Sequence, residues 1–377
     1  MAISEGSSFT AALVQELLKS LKNAYGEDNW DSFRFGPYPS SRGEMLVAYL
    51  NKFLARKKAA LIPMNGDSYL SCFKSMEDMM DGFSATYSQL EDLPSKSLFI
   101  DILAYRILGC RKVKLPLGRD GDWFKKRSFA HSLIKEGETI KLEFNHWVLN
   151  CFELNPIGFP IKMFSTPDGI LLTFILRQYE YQRREPEIRV QRGDYVIDAG
   201  GGWGDTALYF ACKVEGEGRV YTFEFIPGNV EIMKRNLKLN PRLTERIDVV
   251  EHPLWEKSDV ALFGQDNGPG SAVRETPIGT SDLQISALSI DDFVKLNEVP
   301  KVDFIKMDVE GAELSALKGA LATIRKYRPN LAIAVYHKLN DLVQIPWFLS
   351  SLNLGYKFYL DHFTIHSEET VLFCTAD

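Results

Sequence analysis

Apolar residues recur at helical spacing from Ser8 to about Tyr25 (Leu13, Leu17, Leu18, Leu21), with Ser7 or Ser8 placed as an N-cap. The pattern predicts a helix there and a loop over the Pro-, Ser- and aromatic-rich stretch Asn29–Arg42. Further helices are predicted over Gly43–Leu61, Met76–Leu90 and Leu98–Leu108. Past Gly109 the period shortens. Arg111–Leu117, Thr139–Phe144, Trp147–Leu154, Ile161–Phe164 and Ile170–Leu176 alternate or form short β-rich runs, broken by Gly118, Gly121, Asn155-Pro156, Gly158 and Pro167-Asp168-Gly169. Helices followed by a small mixed sheet make residues 1–175 an appended α+β region, with a second domain over residues 176–377.

The second domain opens on a strand, a glycine-rich turn, a helix and a strand, YVIDAGGGWGDTALYFACKVEGEGRVYTFEF, running from Tyr195 to Phe225. Such a βαβ unit sets its turn at the carboxyl ends of parallel strands, where open α/β sheets bind ligands. The spacing is D-x-G-x-G-x-G from Asp198 through Gly200 and Gly202 to Gly204, and Glu224 stands about twenty positions later at the end of the next strand. A dinucleotide fingerprint needs G-x-G-x-x-G, yet the sixth position from Gly200 is Asp205, and from Gly202 it is Ala207. The arrangement resembles the S-adenosylmethionine loop of Rossmann-like methyltransferases. On that resemblance Glu224 accepts the ribose hydroxyls and Asp198 serves the amino acid end.

Ile247–Val250 follows as a third strand, Val302–Met307 as a fourth and Leu331–Val335 as a fifth, with Tyr356–Asp361 and Thr370–Thr375 as a closing pair. Adenine in this fold lies against residues after the second and third strands, so Phe225, Leu254 and Trp255 are candidate contacts. The turn-rich stretch Leu262–Ile285 is read as an arm over the site. The fourth strand ends in Asp308, and a helix is expected from Glu310 to Ala320; Tyr336-His337-Lys338 emerges at the same sheet edge.

DAGGGWGDTALYF, FEFIP with NLKLNP, FIKMDVEGAE and the closing YHK together resemble the FkbM family of adenosylmethionine-dependent methyltransferases, over about Gln178 to the C-terminus. D-x-E-G-x-E after the fourth strand is the most specific of these motifs. Many members carry Asn where this chain has Gly202, so that contact is absent or replaced here. The resemblance implies a Rossmann-like seven-stranded methyltransferase sheet, order 3-2-1-4-5-7-6, and methyl transfer to a hydroxyl on a sugar, polyketide or other small metabolite.

The donor is already activated, so the enzyme must align the acceptor oxygen and deal with its proton. His337 is the first candidate base, with Asp308 and Glu310 as rivals; the same groups are also suited to a divalent cation such as Mg that lowers the hydroxyl pKa. Gln178 and Tyr179, just before the first strand, are candidate contacts to the methionine end of the donor. Two alternatives stand beside this reading. One is a non-catalytic interaction protein that keeps the fold, the other a nucleotide-dependent oxidoreductase.

Composition narrows the classes. With 377 residues, 45% hydrophobic and 25% charged, the chain can bury a sizeable core. A net charge of -6 argues against a general nucleic-acid or anionic-membrane binder. The basic stretch Arg111–Arg127 reads as a solvated face, and the stripe Met76, Met79, Met80 as core filling. Five cysteines without C-x-x-C spacing, no basic leader and no long apolar run give the expectation of a cytoplasmic protein without a membrane span, a homo-oligomer being compatible.

Overall fold

A computed structural model describes residues 8–38, 66–142, 147–183, 185–277, 279 and 282–376. The helix expected over Gly43–Leu61 lies outside the described residues. Two compact units emerge, Met1–Lys125 with Tyr359–Thr370, and Lys126–Phe358 with Val371–Asp377. No helix among the described residues is long and apolar enough to cross a membrane.

In the first unit Ser8 caps the helix Phe9–Ser20, its hydroxyl accepting from Ala11 N at 3.3 Å. That helix stops five residues short of Tyr25; Leu13 is buried, whereas Leu18 and Leu21 face solvent. The apolar run Met76–Leu90 is divided between Gly66–Glu77 and Met80–Gln89. Leu93–Leu108 starts earlier than its periodicity indicated, because Asp92 caps it and Pro94 suits the first turn. Arg111–Leu117 is a turn running into the helix Pro116–Arg119, and not a strand: proline at the start of a helical turn wins over the local alternation.

The second unit contains β1 (Ile134–Lys141), β2 (Val148–Glu153) and β3 (Lys162–Ser165), an antiparallel sheet with an irregularity between Lys135 and Thr139. The run Ile170–Leu176 is helical as well. Thr166 accepts from Gly169 N at 3.1 Å and caps Pro167–Ile170, which continues as a π-helical turn over Leu171–Ile175. The turn signal Pro167-Asp168-Gly169 thus begins a helix instead of preceding a strand.

The main sheet comprises β4 (Tyr195–Ala199), β5 (Arg219–Phe223) and β6 (Ile247–Val250). It continues, beyond an arm made of β7 (Ala261–Gly264), β8 (Val273–Arg274) and β9 (Leu283–Ser286), with β10 (Phe304–Met307), β11 (Asn330–Ala334), β12 (Tyr356–His362) and β13 (Thr370–Ala376). Its seven strands run in the order β12-β13-β11-β10-β4-β5-β6, which is 6-7-5-4-1-2-3 when counted along this sheet alone. β6, β5, β4, β10 and β11 are parallel, and β13 is antiparallel to β11. The central strands are buried almost throughout, as expected where both faces of a parallel sheet are covered.

Two asparagines attach the small sheet to the main one. Asn236 and Asn240 lie four apart on and just beyond the helix Pro227–Lys238, so both face the same way. Asn236 accepts from Phe164 N (2.7 Å) and donates to Phe164 O (2.9 Å); Asn240 accepts from Lys162 N (2.9 Å) and donates to Lys162 O (2.6 Å). The free edge of β3 therefore meets two side-chain amides that act as a substitute strand, which satisfies its backbone and protects the edge. Asn236 also donates to Trp203 O at 2.9 Å, which links the small sheet to the glycine turn.

Candidate functional site

The turn after β4 follows from close approach. Gly200 has φ 87°, and a Cβ there would fall 1.9 Å from the Asp308 carbonyl oxygen at the end of β10. Only glycine permits both the conformation and the contact. Gly202 (φ 50°) has open space, its nearest neighbour being Pro269 of the arm, 3.8 Å from where a Cβ would stand. Gly204 is the N-cap of the helix Asp205–Val214.

Asp198 lies beneath this turn and is fully buried. Its carboxylate accepts from Thr206 Oγ1 (3.0 and 2.9 Å) and Thr222 Oγ1 (2.8 Å), and Lys306 Nζ stands 3.3 Å away. These partners hold Asp198 beneath the backbone of the turn. Lys306 was not singled out in the sequence, although a charged residue inside the apolar strand FIKM was a readable signal.

Glu224 directly follows β5 and is 6% exposed. It accepts from Phe225 N (2.7 Å), Ile226 N (2.8 Å) and Asn229 Nδ2 (3.2 Å), and Asn229 in turn accepts from Trp203 Nε1 at 3.0 Å. Burial pushes the Glu224 carboxyl up to about 7, opposed by those amides. The Phe225 ring is half-buried and lies against Gly264 of the arm; Leu254 is buried and Trp255 half-buried. Gln178 is buried, and its backbone N–H donates to Leu172 O.

The acids gather beyond β10. Glu310 (φ 55°) and Gly311 (φ 91°) form a tight turn that delays the helix to Glu313–Lys318, three residues later than its expected start at Glu310. Glu313 folds back into this turn, accepting from Val309 N (2.9 Å) and Gly311 N (3.2 Å), and is fully buried. His337, after β11, puts Nδ1 2.9 Å from Glu313, and Nε2 3.5 Å from Asp308 and 3.4 Å from Glu310. Burial opposes a charge on His337, but the Glu313 carboxylate and the contacts with Glu310 outweigh it and hold the pKa well above 6.5. Burial likewise opposes the Glu313 charge, and His337 more than offsets it, so that carboxyl is lowered. Asp308 accepts from Tyr179 OH at 2.8 Å and lies 3.4 Å from Tyr336 OH.

Asp308, Glu313 and His337 each offer an atom within 4.8 Å of the others, a grouping that could hold a cation.

Residues 190–358 match the model of the Methyltransferase FkbM domain. Over those residues, less than half of its length, the chain is similar to FkbM methyltransferases. A curated relative, Methyltransferase 1 of Beauveria bassiana (strain ARSEF 2860), is 27% identical over 147 residues, covering 33% of this chain and 57% of the relative. Among solved structures, a methyltransferase FkbM from Methylobacillus flagellatus KT aligns with a TM-score of 0.52 and 20% identity, covering 80% of this chain and 60% of that one. The chain thus spans less than two thirds of the length of either. The matched segment takes in the glycine turn, Glu224, the arm, Asp308, Glu310 and His337.

Proposed function

We propose that the chain transfers a methyl group from S-adenosylmethionine to a hydroxyl of a small metabolite, with sugars and polyketides as the acceptor classes. The observation that carries this reading is the packing of Gly200 directly on the Asp308 backbone, which brings the glycine turn and the acid cluster to one point at the sheet edge. A donor held by the first presents its methyl group to an acceptor held by the second.

In this reading Glu224 accepts the ribose hydroxyls, while Phe225, Leu254 and Trp255 flank the adenine. The backbone from Gly200 to Gly204 lets the methionine end approach closely, with Gln178 and Tyr179 beside it. Bound adenosylmethionine supplies an electrophilic methyl on a sulfonium. The acceptor oxygen forms the new C–O bond as the S–C bond breaks, and the electron pair remains on sulfur. Glu310, the more exposed of the carboxylates around His337, takes the hydroxyl proton, and Asp308, held by Tyr179, orients the hydroxyl. His337, between Glu313 and Glu310, holds both acids in place.

Calorimetric titration with S-adenosylmethionine and, in parallel, with nicotinamide dinucleotide tests the donor. Binding of the former alone, abolished in Glu224→Ala, supports the reading, and binding of neither refutes it. Once an acceptor is found in a screen of sugar and natural-product hydroxyls, turnover is expected to survive chelation of divalent cations. Activity that disappears with chelation and returns with Mg would assign the acids to a metal.

A further inference from the structure

We propose that Lys306 is the positioning residue that sets the conformation of the donor turn and couples it to the acid cluster; this deepens the donor reading above and rests on it. Lys306 sits in the middle of β10, 1% exposed. An ammonium at that depth is costly unless every proton is placed, and an apolar residue of similar volume would serve stability as well or better. Its placement indicates what the charge is for.

Lys306 Nζ donates to Ala199 O (3.1 Å) and Gly200 O (2.5 Å), the last carbonyl of β4 and the first of the turn, and lies 3.3 Å from Asp198. Neutralising Asp198 would require only the last of these. The two carbonyl bonds instead fix the orientation of the peptide at which the strand becomes the turn, where Gly200 has φ 87°. Asp308 N also donates to Ala199 O, at 3.0 Å, so the same carbonyl joins the donor turn to the first residue of the acid cluster.

Tyr179 supplies the second link. Lys306 Nζ stands 5.1 Å from the centroid of its ring, and its hydroxyl donates to Asp308 Oδ2 at 2.8 Å. One aromatic side chain therefore spans from the ammonium to the carboxylate. Removing the charge frees the Gly200 carbonyl, takes the cation from the Tyr179 ring and loosens Asp308 together with the turn.

The test is calorimetry on Lys306→Met and on Asp198→Asn/Lys306→Met, titrated with S-adenosylhomocysteine and with adenosine. The double variant removes both charges at once, so it leaves no unpaired carboxylate that could unfold the protein, and the amide oxygen of the introduced asparagine still accepts from Thr206 and Thr222. Both variants are expected to lose about 30-fold or more in affinity for adenosylhomocysteine, in line with the loss of charge-assisted bonds. Adenosine, which lacks the methionine end and is held at Glu224, should bind as it does to the wild type. Wild-type affinity of the double variant for adenosylhomocysteine overturns the inference, and so does an equal loss for both ligands. If the wild-type protein itself fails to bind adenosylhomocysteine, the donor reading falls and takes this inference with it.

Discussion

Asn236→Ala is the perturbation whose cost the structure specifies most fully. Asn236 is fully buried and makes three hydrogen bonds, to Phe164 N, Phe164 O and Trp203 O. Truncation removes all three and leaves an N–H and two carbonyls without a partner. Each neutral bond nets about 1 kcal/mol and each stranded buried group costs about 1–3 kcal/mol, less whatever relaxation recovers, so the destabilisation should be about 3–5 kcal/mol. That is a large part of the roughly 5–15 kcal/mol by which domains are stable. Asn236→Asp should be no better, since it turns a carboxylate oxygen toward two carbonyl oxygens. Urea unfolding followed by tryptophan fluorescence reads the loss, because Trp203 and Trp147 pack at the seam between the small sheet and the glycine turn, ring centroids 6.2 Å apart. A shift of less than about 1 kcal/mol for Asn236→Ala would refute the substitute-strand reading.

Glu224 and the His337 pair give two pH predictions. With its folded pKa raised from 4.5 to about 7, Glu224 holds a proton in the folded state that the unfolded chain releases, so it makes the free protein less stable as pH rises through that window. Only the ionised carboxylate accepts freely from both ribose hydroxyls, so adenosylmethionine affinity should climb with pH and level off above about 7, and Glu224→Gln should flatten the profile; a flat wild-type profile refutes this. His337 has a raised pKa, so the stability it contributes is complete below 6.5 and is lost as pH rises through its folded value; Glu313 is lowered, so its contribution is present above 4.5 and is lost as pH falls through its folded value. His337→Gln leaves Glu313 buried without its cation and should cost about 3–5 kcal/mol near neutrality, with the gap to wild type closing at the alkaline end. Thermal melts across pH check it, and a gap independent of pH would count against the ion pair.

The βαβ unit and the clustering of acids at one edge were legible because each depends on short-range pattern: period-two runs, glycine spacing, an acid at a strand end; the strand order came only with the family resemblance. Misreadings arose where a cap outweighed the pattern. Leu-Leu-Thr-Phe-Ile looks like a strand until Thr166 is seen capping a helix that begins at Pro167. The asparagines of NLKLNP were visible only as part of a resemblance. Their i, i+4 spacing marks one face of a helix, but the strand they bind lies 72 and 78 positions upstream, and nothing local announces it. Asp198 shows the same limit. The sequence supplies an acid before the glycines, and its direction is decided by Thr206, Thr222 and Lys306, three residues contributed by different elements.

The three carboxylates of D-x-E-G-x-E carry this point furthest. Asp308, Glu310 and Glu313 have the same chemistry and lie within six residues, so spacing alone cannot distribute work among them. The backbone does. Because Glu310 and Gly311 both take positive φ, the chain turns sharply before the helix begins, and the amides of Val309 and Gly311 point inward to be satisfied by Glu313. That bond commits Glu313 to the interior, where it needs a cation, and His337 is the group that meets it. The same turn swings Glu310 outward, its side chain 30% exposed beside the other nitrogen of His337. Asp308, at the strand end, is held between two tyrosine hydroxyls. A buried counter-ion, an outward carboxylate and a clamped one thus follow from a single left-handed turn, which makes Gly311, with no acid of its own, the residue on which the division of roles depends.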